Sequence, residues 1–168
     1  NGLQLLNGTL YNFIVAFRGY DAPNIISGNG DGTGDGGISI SGNSNYNFIL
    51  GNVIGGLVSQ PTIAGNSPHG IRISGGAKNN YIGLDEIPAL DGKSRSELIK
   101  GLKGISRKGL VPEDILAPNY IVGSTSDGIQ IDGYTATWNT LMYNEISNNG
   151  GKAIHLVNGA NGGIAAPA

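Results

Sequence analysis

The sequence predicts an all-β fold, a short parallel β-helix (solenoid) of about four to five coils. The prediction is based on a repeated apolar strand motif and on the Gly and Asn residues that separate the strands. Each repeat starts with Gly or Ala followed by two apolar residues two positions apart. Five such starts occur, at residues 2–5, 37–40, 70–73, 128–131 and 153–156. Apolar residues with this period are typical of a strand that buries one face. A motif that recurs along a chain indicates stacked structural units.

Two further short segments follow the first four starts, and each opens with Asn. The first set begins at Asn12, Asn47, Asn80 and Asn139, and the second begins at Asn24, Asn52, Asn119 and Asn144. Three short strands and three corners per repeat make one coil of a parallel β-helix. Gly and Asn tolerate the left-handed backbone of sharp corners, so we expect them there. Asn side chains stacked from coil to coil are also predicted to form hydrogen-bonded ladders.

The composition favours one folded domain over residues 1–168 and excludes several other classes. Gly accounts for 30 of the 168 residues and charged residues for only 13%, which argues against a helical bundle. The apolar fraction of 39% and the net charge of −2 argue against disorder and give no electrostatic footprint for nucleic acid. No apolar run is long enough for a membrane span. The chain has no Cys, which excludes disulfides and thiolate metal sites.

One charge-rich stretch, residues 84–118, predicts a helical insertion between the second and third strands of the third coil. Ser94 and Glu97 match a capping box, and apolar residues fall on one helical face at Leu98, Ile99, Leu102 and Ile105. Six of the ten basic residues of the chain also lie in this stretch. Two interpretations stay open. The stretch is either an amphipathic helix that covers a corner and turns its basic residues to solvent, or a lid that docks an anionic polymer.

Charged and polar residues gather on the outward side of the first strand in coils three to five. We expect Arg72, Asp127, Asp132 and His155 to be the catalytic candidates, because carboxylates and His perform acid–base chemistry and Arg holds anionic or hydroxyl groups. The candidates for substrate binding are His69, Gln130, Lys152, Tyr134 and Trp138. The alternative is that all are ordinary solvent-facing residues.

A glycine-rich loop offers a candidate site for a metal. Asp31 and Asp35 space oxygen ligands as the start of a calcium loop does, but no acidic residue follows at the twelfth position, Ile40. A plain flexible corner is the alternative interpretation, because Gly and Asp favour turns. We therefore expect no cofactor, unless this loop holds a calcium ion.

The repeats G-I-R-I-S-G-G-A-K-N-N-Y-I-G, from Gly70, and D-G-I-Q-I-D-G, from Asp127, resemble the right-handed parallel β-helix repeat family. That superfamily includes pectate lyases, polygalacturonases, alginate epimerases, phage tailspikes and bacterial surface proteins. The resemblance covers nearly the whole chain outside residues 84–118. It implies a right-handed coil, an extracellular or cell-surface location and a polysaccharide or cell-surface glycan as partner. The polygalacturonase R-I-K signature is absent, since Ile and Ser follow Arg72.

Two functions follow as expectations. In the first, the chain binds or processes polysaccharide along one strand face; an enzyme of this kind would be a lyase, a glycoside hydrolase or an epimerase. In the second, it is a non-catalytic structural or adhesive module of a secreted, surface or phage tail protein. The first strand begins at Leu3 without a visible cap, and solenoid ends need one. A second copy or a larger parent chain is therefore expected to cover that open end.

Overall fold

The computed structural model describes residues 1–16, 23–56, 64–84 and 118–164. These residues form short strands joined by corners, with almost no helix. The predicted helical insertion, apart from its two end residues, lies outside them. In the part of the chain that the structure describes, no helix has the length and apolar character needed to cross a membrane.

The strands form three parallel sheets, and each sheet takes one strand from each successive repeat. The first sheet contains β1 (Leu3–Leu5), β4 (Ile38–Ile40), β7 (Ile71–Ile73), β10 (Ile129–Asp132) and β13 (Ile154–Val157). The second contains β2 (Phe13–Val15), β5 (Phe48–Leu50), β8 (Tyr81–Ile82) and β11 (Thr140–Leu141). The third contains β3 (Ile25–Ile26), β6 (Val53–Gly55), β9 (Asn119–Val122) and β12 (Asn144–Ser147). This stacking supports the β-helix prediction.

The core lies inside the three sheets and follows the predicted apolar phase. Ile38 pairs with Ile71, which pairs with Ile129, and the second isoleucines of the same strands pair in the same way. Ile38, Ile40, Ile71, Ile73, Ile129 and Ile131 are all 0% exposed. The sequence prediction for these six side chains is confirmed. Because the inward residues are two apart, the residue between them points outward.

The strand register is the same before residue 84 and after residue 118. Strand β8 pairs with β5 in the second sheet, and β9 pairs with β6 in the third. Strands β5 and β6 follow one another in the chain with only two residues between them. Residues 81–82 and 119–122 therefore occupy the places of consecutive strands.

Asparagine ladders join the repeats at the corners, as predicted. At the corner before the second sheet, the ladder runs through Asn12, Asn47, Asn80 and Asn139. In its middle, Asn80 accepts hydrogen bonds at Oδ1 from the backbone N–H (3.1 Å) and Nδ2 (3.0 Å) of Asn47. Its own Nδ2 donates to Ser44 O and to Asn139 Oδ1, both at 3.0 Å. Asn80 is 0% exposed, so this ladder supplies the polar partners of a buried corner.

At the corner after the third sheet, the asparagine ladder is interrupted by a serine. Asn29 N–H donates to Asn66 Oδ1 at 3.1 Å, and Ser124 N–H donates to Asn149 Oδ1 at 2.9 Å. Ser124 stands at the ladder position between Asn66 and Asn149, but its side chain is too short to reach across. Its Oγ is buried without a hydrogen-bond partner.

The glycine that starts each of the first four repeats has a different role from the one the sequence predicted. Gly70 has no left-handed backbone; instead, a Cβ there would lie 2.6 Å from Ile121 Cγ2 and 2.7 Å from Gly128 O. Glycine is therefore required by close approach to the next repeat rather than by a turn. In the ladder through Asn12, Asn47, Asn80 and Asn139, left-handed backbone falls on the residue just before each asparagine, for example Asn79 (φ 54°) before Asn80.

Candidate functional site

The outward face of the first sheet brings together one polar residue from each repeat. Gln4 pairs with Ser39, Ser39 with Arg72, Arg72 with Gln130, and Gln130 with His155. The sequence predicted this register, because each of these residues stands between two inward apolar side chains. From Ser39 to His155 the residues belong to one hydrogen-bonded cluster. We call this cluster the polar network; its members are Asp35, Ser39, Arg72, Asp127, Gln130, Asp132 and His155, and His69 lies beside it.

Arg72 stands at the centre of the polar network and uses three guanidinium nitrogens. Its two terminal nitrogens donate to Asp35 Oδ1 at 2.5 Å and to Asp132 Oδ2 at 2.6 Å. Its Nε donates to Gln130 Oε1 at 3.2 Å. Burial lowers the pKa of Arg72, but the two carboxylates outweigh that effect and raise it. Arg72 is therefore a fixed cation, with 29% of its side chain exposed.

Asp35 belongs to the site, although the sequence placed it only in the glycine-rich loop. It accepts from Arg72 and also from Ser39 Oγ at 2.8 Å. Burial raises its pKa, but the bonds from Arg72 and Ser39 prevail, and the pKa lies below its ordinary value. The available signal was the position of Asp35 just before β4, beside the strand that carries Arg72. Asp31, the other loop residue, accepts bonds from Thr33 within its own turn.

Asp132 lies at the end of β10 and is held from two sides. Asn158 Nδ2 donates to its Oδ1 at 2.8 Å, and Arg72 donates to its Oδ2. The pKa of Asp132 falls below its usual value, first because of the Asn158 bond and, against some opposing burial, because of Arg72. This carboxylate is therefore ionised at neutral pH, and Asn158 is a member of the site that the sequence did not reveal.

Asp127 is the buried anchor of the polar network, with 6% of its side chain exposed. Its Oδ1 accepts from the backbone N–H of Lys152 at 2.9 Å, and its Oδ2 contacts His155 Nδ1 at 2.9 Å and accepts from Gln130 Nε2 at 3.2 Å. Burial raises its pKa, but these bonds lower it further than burial raises it. Lys152 thus contributes through its main chain, and its residue as a whole is exposed.

The ionised state of Asp127 fixes the tautomer of His155. A carboxylate accepts only, so His155 Nδ1 must carry the proton that it shares with Asp127. The proton on Nδ1 leaves the Nε2 atom facing away from Asp127. With 30% of its side chain exposed, His155 is an oriented imidazole near the surface.

His69 is buried, with 8% of the residue exposed. Its Nδ1 lies 3.5 Å from Asp127 Oδ2, within ion-pair range only for a protonated ring. Burial lowers the pKa of His69 more than the Asp127 charge raises it, so the ring is neutral at pH 7. We therefore treat the contact as a near approach rather than a salt bridge, and Nδ1 has no hydrogen-bond partner.

The two predicted aromatic residues lie away from these bonds. Tyr134 is 77% exposed and Trp138 is 78% exposed. No hydrogen bond joins either side chain to the polar network among the described residues. Trp138 instead borders a cleft of about 500 Å³ near the end of the described chain. The structure thus separates Tyr134 and Trp138 from the polar network, and only Trp138 lines the cleft.

The arrangement of the polar network can hold hydroxyl groups, and it lacks a protonated carboxyl for acid chemistry. Asp35, Asp127 and Asp132 all have lowered pKa values and are bonded within the protein. Within residues 1–16, 23–56, 64–84 and 118–164, no three His, Asp or Glu side chains group as metal ligands. In comparisons with protein-family models, curated proteins and solved structures, nothing matches this chain.

Proposed function

We propose that the chain is an extracellular or cell-surface module that binds a neutral polysaccharide along the outward face of the first sheet. It would be a right-handed parallel β-helix of four to five coils, the architecture of the family that its repeats resemble. The observation that carries the proposal is the continuous polar network from Asp35 to His155, which runs across four neighbouring strands. Adjacent strands in a sheet lie about 4.8 Å apart, so the face offers regularly spaced polar groups to an extended chain.

The charge balance of this face favours neutral over acidic sugars. Three ionised carboxylates, those of Asp35, Asp127 and Asp132, face one guanidinium, and the buried His69 is neutral. A uronate chain would meet net negative charge here, whereas sugar hydroxyls can both donate to carboxylates and accept from Arg72. Arg72 could hold an acidic glycan only if its guanidinium exchanged both of its carboxylate partners, Asp35 and Asp132.

Binding without turnover is the outcome that the electrostatics support. Glycoside hydrolysis needs one carboxylic acid whose pKa is raised so that it is protonated near neutral pH. The pKa values of all three carboxyls in the polar network are shifted in the opposite direction. Release of reducing or unsaturated ends from a polysaccharide would instead assign the chain to the hydrolases or the lyases.

The test is calorimetric binding to a panel of neutral and uronate-containing polysaccharides. The Arg72→Ala, Asp132→Ala double variant should lose about tenfold or more in affinity for the neutral ligand, since it removes charge-assisted bonds. Gln4→Ala is the matched control, because Gln4 occupies the same outward position in β1 but is exposed and outside the network. Melting curves for all three proteins separate lost binding from lost folding. Wild type that binds no glycan, or a double variant that binds as wild type does, excludes the proposed function.

A structural or adhesive module is the second candidate, favoured by the open end of the solenoid. Strands β1, β2 and β3 are the edges of their three sheets. Their core residues Leu3, Ile14 and Ile26 are partly exposed, while the paired Ile38, Ile49 and Ile54 are 0% exposed. Further coils of a longer chain or a second copy would cover this end by strand addition. Sedimentation over a concentration series would show association for a second copy and a constant monomer otherwise.

A further inference from the structure

Trp138 occupies a corner position that is unfavourable for an aromatic residue. It directly precedes the ladder residue Asn139, and its equivalents in the earlier repeats are Tyr11, Tyr46 and Asn79. All four have left-handed backbone, with φ values of 58°, 56°, 55° and 54° in that order. Asn tolerates this conformation, but a bulky side chain adopts it at a cost. The presence of Trp at position 138 therefore needs a compensating interaction.

The two tyrosines have such an interaction, and Trp138 does not. The rings of Tyr11 and Tyr46 stack with centroids 5.3 Å apart and planes 9° from parallel. In the neighbouring repeats the equivalents of Trp138 are Asn79 and Ala160, which offer no ring. Among the described residues Trp138 has no aromatic partner, and 78% of it is exposed. The face of the Trp138 indole is therefore open to a ligand.

The cleft beside Trp138 has the size and chemistry of a sugar site. Its volume is about 500 Å³, and its lining consists of Thr137, Trp138, Asn139, Thr140, Asn161, Gly162 and Ile164. None of these residues is charged. The volume falls within the range of about 300–1,000 Å³ that small-molecule sites occupy. Trp138 and Ile164 supply the apolar surface, and the remainder supply polar groups.

Thr140 lines the cleft and also stands at the end of a row of aromatic residues in the second sheet. Phe13, Phe48 and Tyr81 form a stack along the second sheet, with centroids 4.8 and 5.0 Å apart. Thr140 pairs with Tyr81 as the next residue in that row. A threonine therefore stands where a fourth ring would continue the stack. No hydrogen bond is made by the Thr140 or Thr137 hydroxyl within the described ranges, so both can pair with a ligand.

We propose that this cleft binds one pyranose ring of a neutral glycan, with the apolar face of the sugar on the Trp138 indole. The hydroxyls of Thr137 and Thr140 pair with sugar hydroxyls. The absence of charge in the lining gives no partner to a uronate or a phosphate. This site deepens the proposed glycan-binding function with a contact that uses no residue of the polar network.

The test exploits the fact that Trp138 is the single Trp of the chain. Neutral methyl pyranosides and their disaccharides should shift its fluorescence emission to shorter wavelength in a saturable manner, and the matching uronates should not. By calorimetry, Trp138→Asn should weaken neutral disaccharide binding about tenfold or more. The same variant should melt at or above the wild-type temperature, because Asn is favoured in this backbone conformation. Thr140→Val keeps the side-chain shape and should weaken binding about fivefold.

Three results would overturn the proposal. The first is an emission spectrum that no neutral sugar changes, or that uronates change equally. The second is a Trp138→Asn variant that melts well below wild type, which would make the indole a packing element. The third is emission that changes on dilution without sugar, which would assign the cleft to a second copy of the chain. The Arg72→Ala, Asp132→Ala variant should keep the emission response, so failure of the polar face and failure of this cleft are distinguishable.

Discussion

Replacing Asn80 by Ala removes the centre of a buried asparagine ladder. The side chain makes four hydrogen bonds, and two of its partners have a second bond: Asn47 Nδ2 also donates to Thr9 O, and Asn139 Oδ1 also accepts from the backbone N–H of residue 80. The other two partners, Asn47 N–H and Ser44 O, lose the only bond that the structure gives them. Both of those residues are 0% exposed.

The expected loss of stability follows from these two orphaned groups. A buried donor or acceptor left without a partner costs about 1–3 kcal/mol, so two of them cost about 4 kcal/mol. With a urea m value of about 2 kcal/mol/M, the unfolding midpoint should fall by about 2 M. This is a large part of the total stability of a typical domain, about 5–15 kcal/mol.

Urea unfolding followed by circular dichroism measures the change, and Asn12→Ala is the matched control. Asn12 ends the same ladder, is only half-buried, and donates its side-chain bonds to Leu10 O and Asn47 Oδ1. Because Asn47 Oδ1 keeps the bond from Asn12 N–H, we expect a loss below about 1 kcal/mol for the control. If Asn80→Ala and Asn12→Ala cost the same, or if Asn80→Ala costs under about 1 kcal/mol, the ladder does not stabilise the fold as argued.

Three further predictions concern the core, the interrupted ladder and pH. Ile73→Asp should destabilise the domain by several kcal/mol, because it buries an unpaired charge; a melting temperature within a degree or two of wild type would refute the core assignment. Ser124→Asn should raise the unfolding free energy by about 1 kcal/mol in urea, because it gives Asn66 N–H an acceptor; a lower value would mean that the corner cannot hold the larger side chain. The pKa of Asp127 is lower in the folded state, so its stabilisation is complete above about pH 4 and is lost as pH falls through the folded pKa. Urea midpoints from pH 7 to pH 3 should therefore fall less steeply for Asp127→Asn than for wild type, and equal slopes would contradict this.

The repeat predicted the core and register because both depend on short-range spacing. A period of two fixes which side chain points inward, so Ile71 and Ile73 could be placed inside and Arg72 outside from the sequence alone. The same phase placed Gln130 beside Arg72 and His155 beside Gln130. The asparagine ladders were predictable for a similar reason, since one Asn recurs at the same corner of each repeat.

Features that depend on the path of a corner loop could not be predicted. Asp35 reaches Arg72 from a glycine-rich loop whose course has no fixed period, and Asn158 reaches Asp132 from the turn after β13. The left-handed backbone at Trp138 was also hidden, because aromatic residues rarely adopt it and the sequence pattern pointed to Gly and Asn. Contacts that a corner loop makes with a strand, such as those of Asp35 and Asn158, can therefore be identified only from the structure.

The most direct test of the proposed glycan-binding function is a map of backbone amide chemical shifts during titration with a neutral oligosaccharide. Our account predicts that the perturbed amides cluster on the outward face of the first sheet, at Ser39, Arg72, Gln130 and His155, with a second group around Trp138. A titration that perturbs no amide would contradict it. So would perturbations confined to the edge strands β1, β2 and β3, which would identify an assembly surface rather than a glycan-binding face.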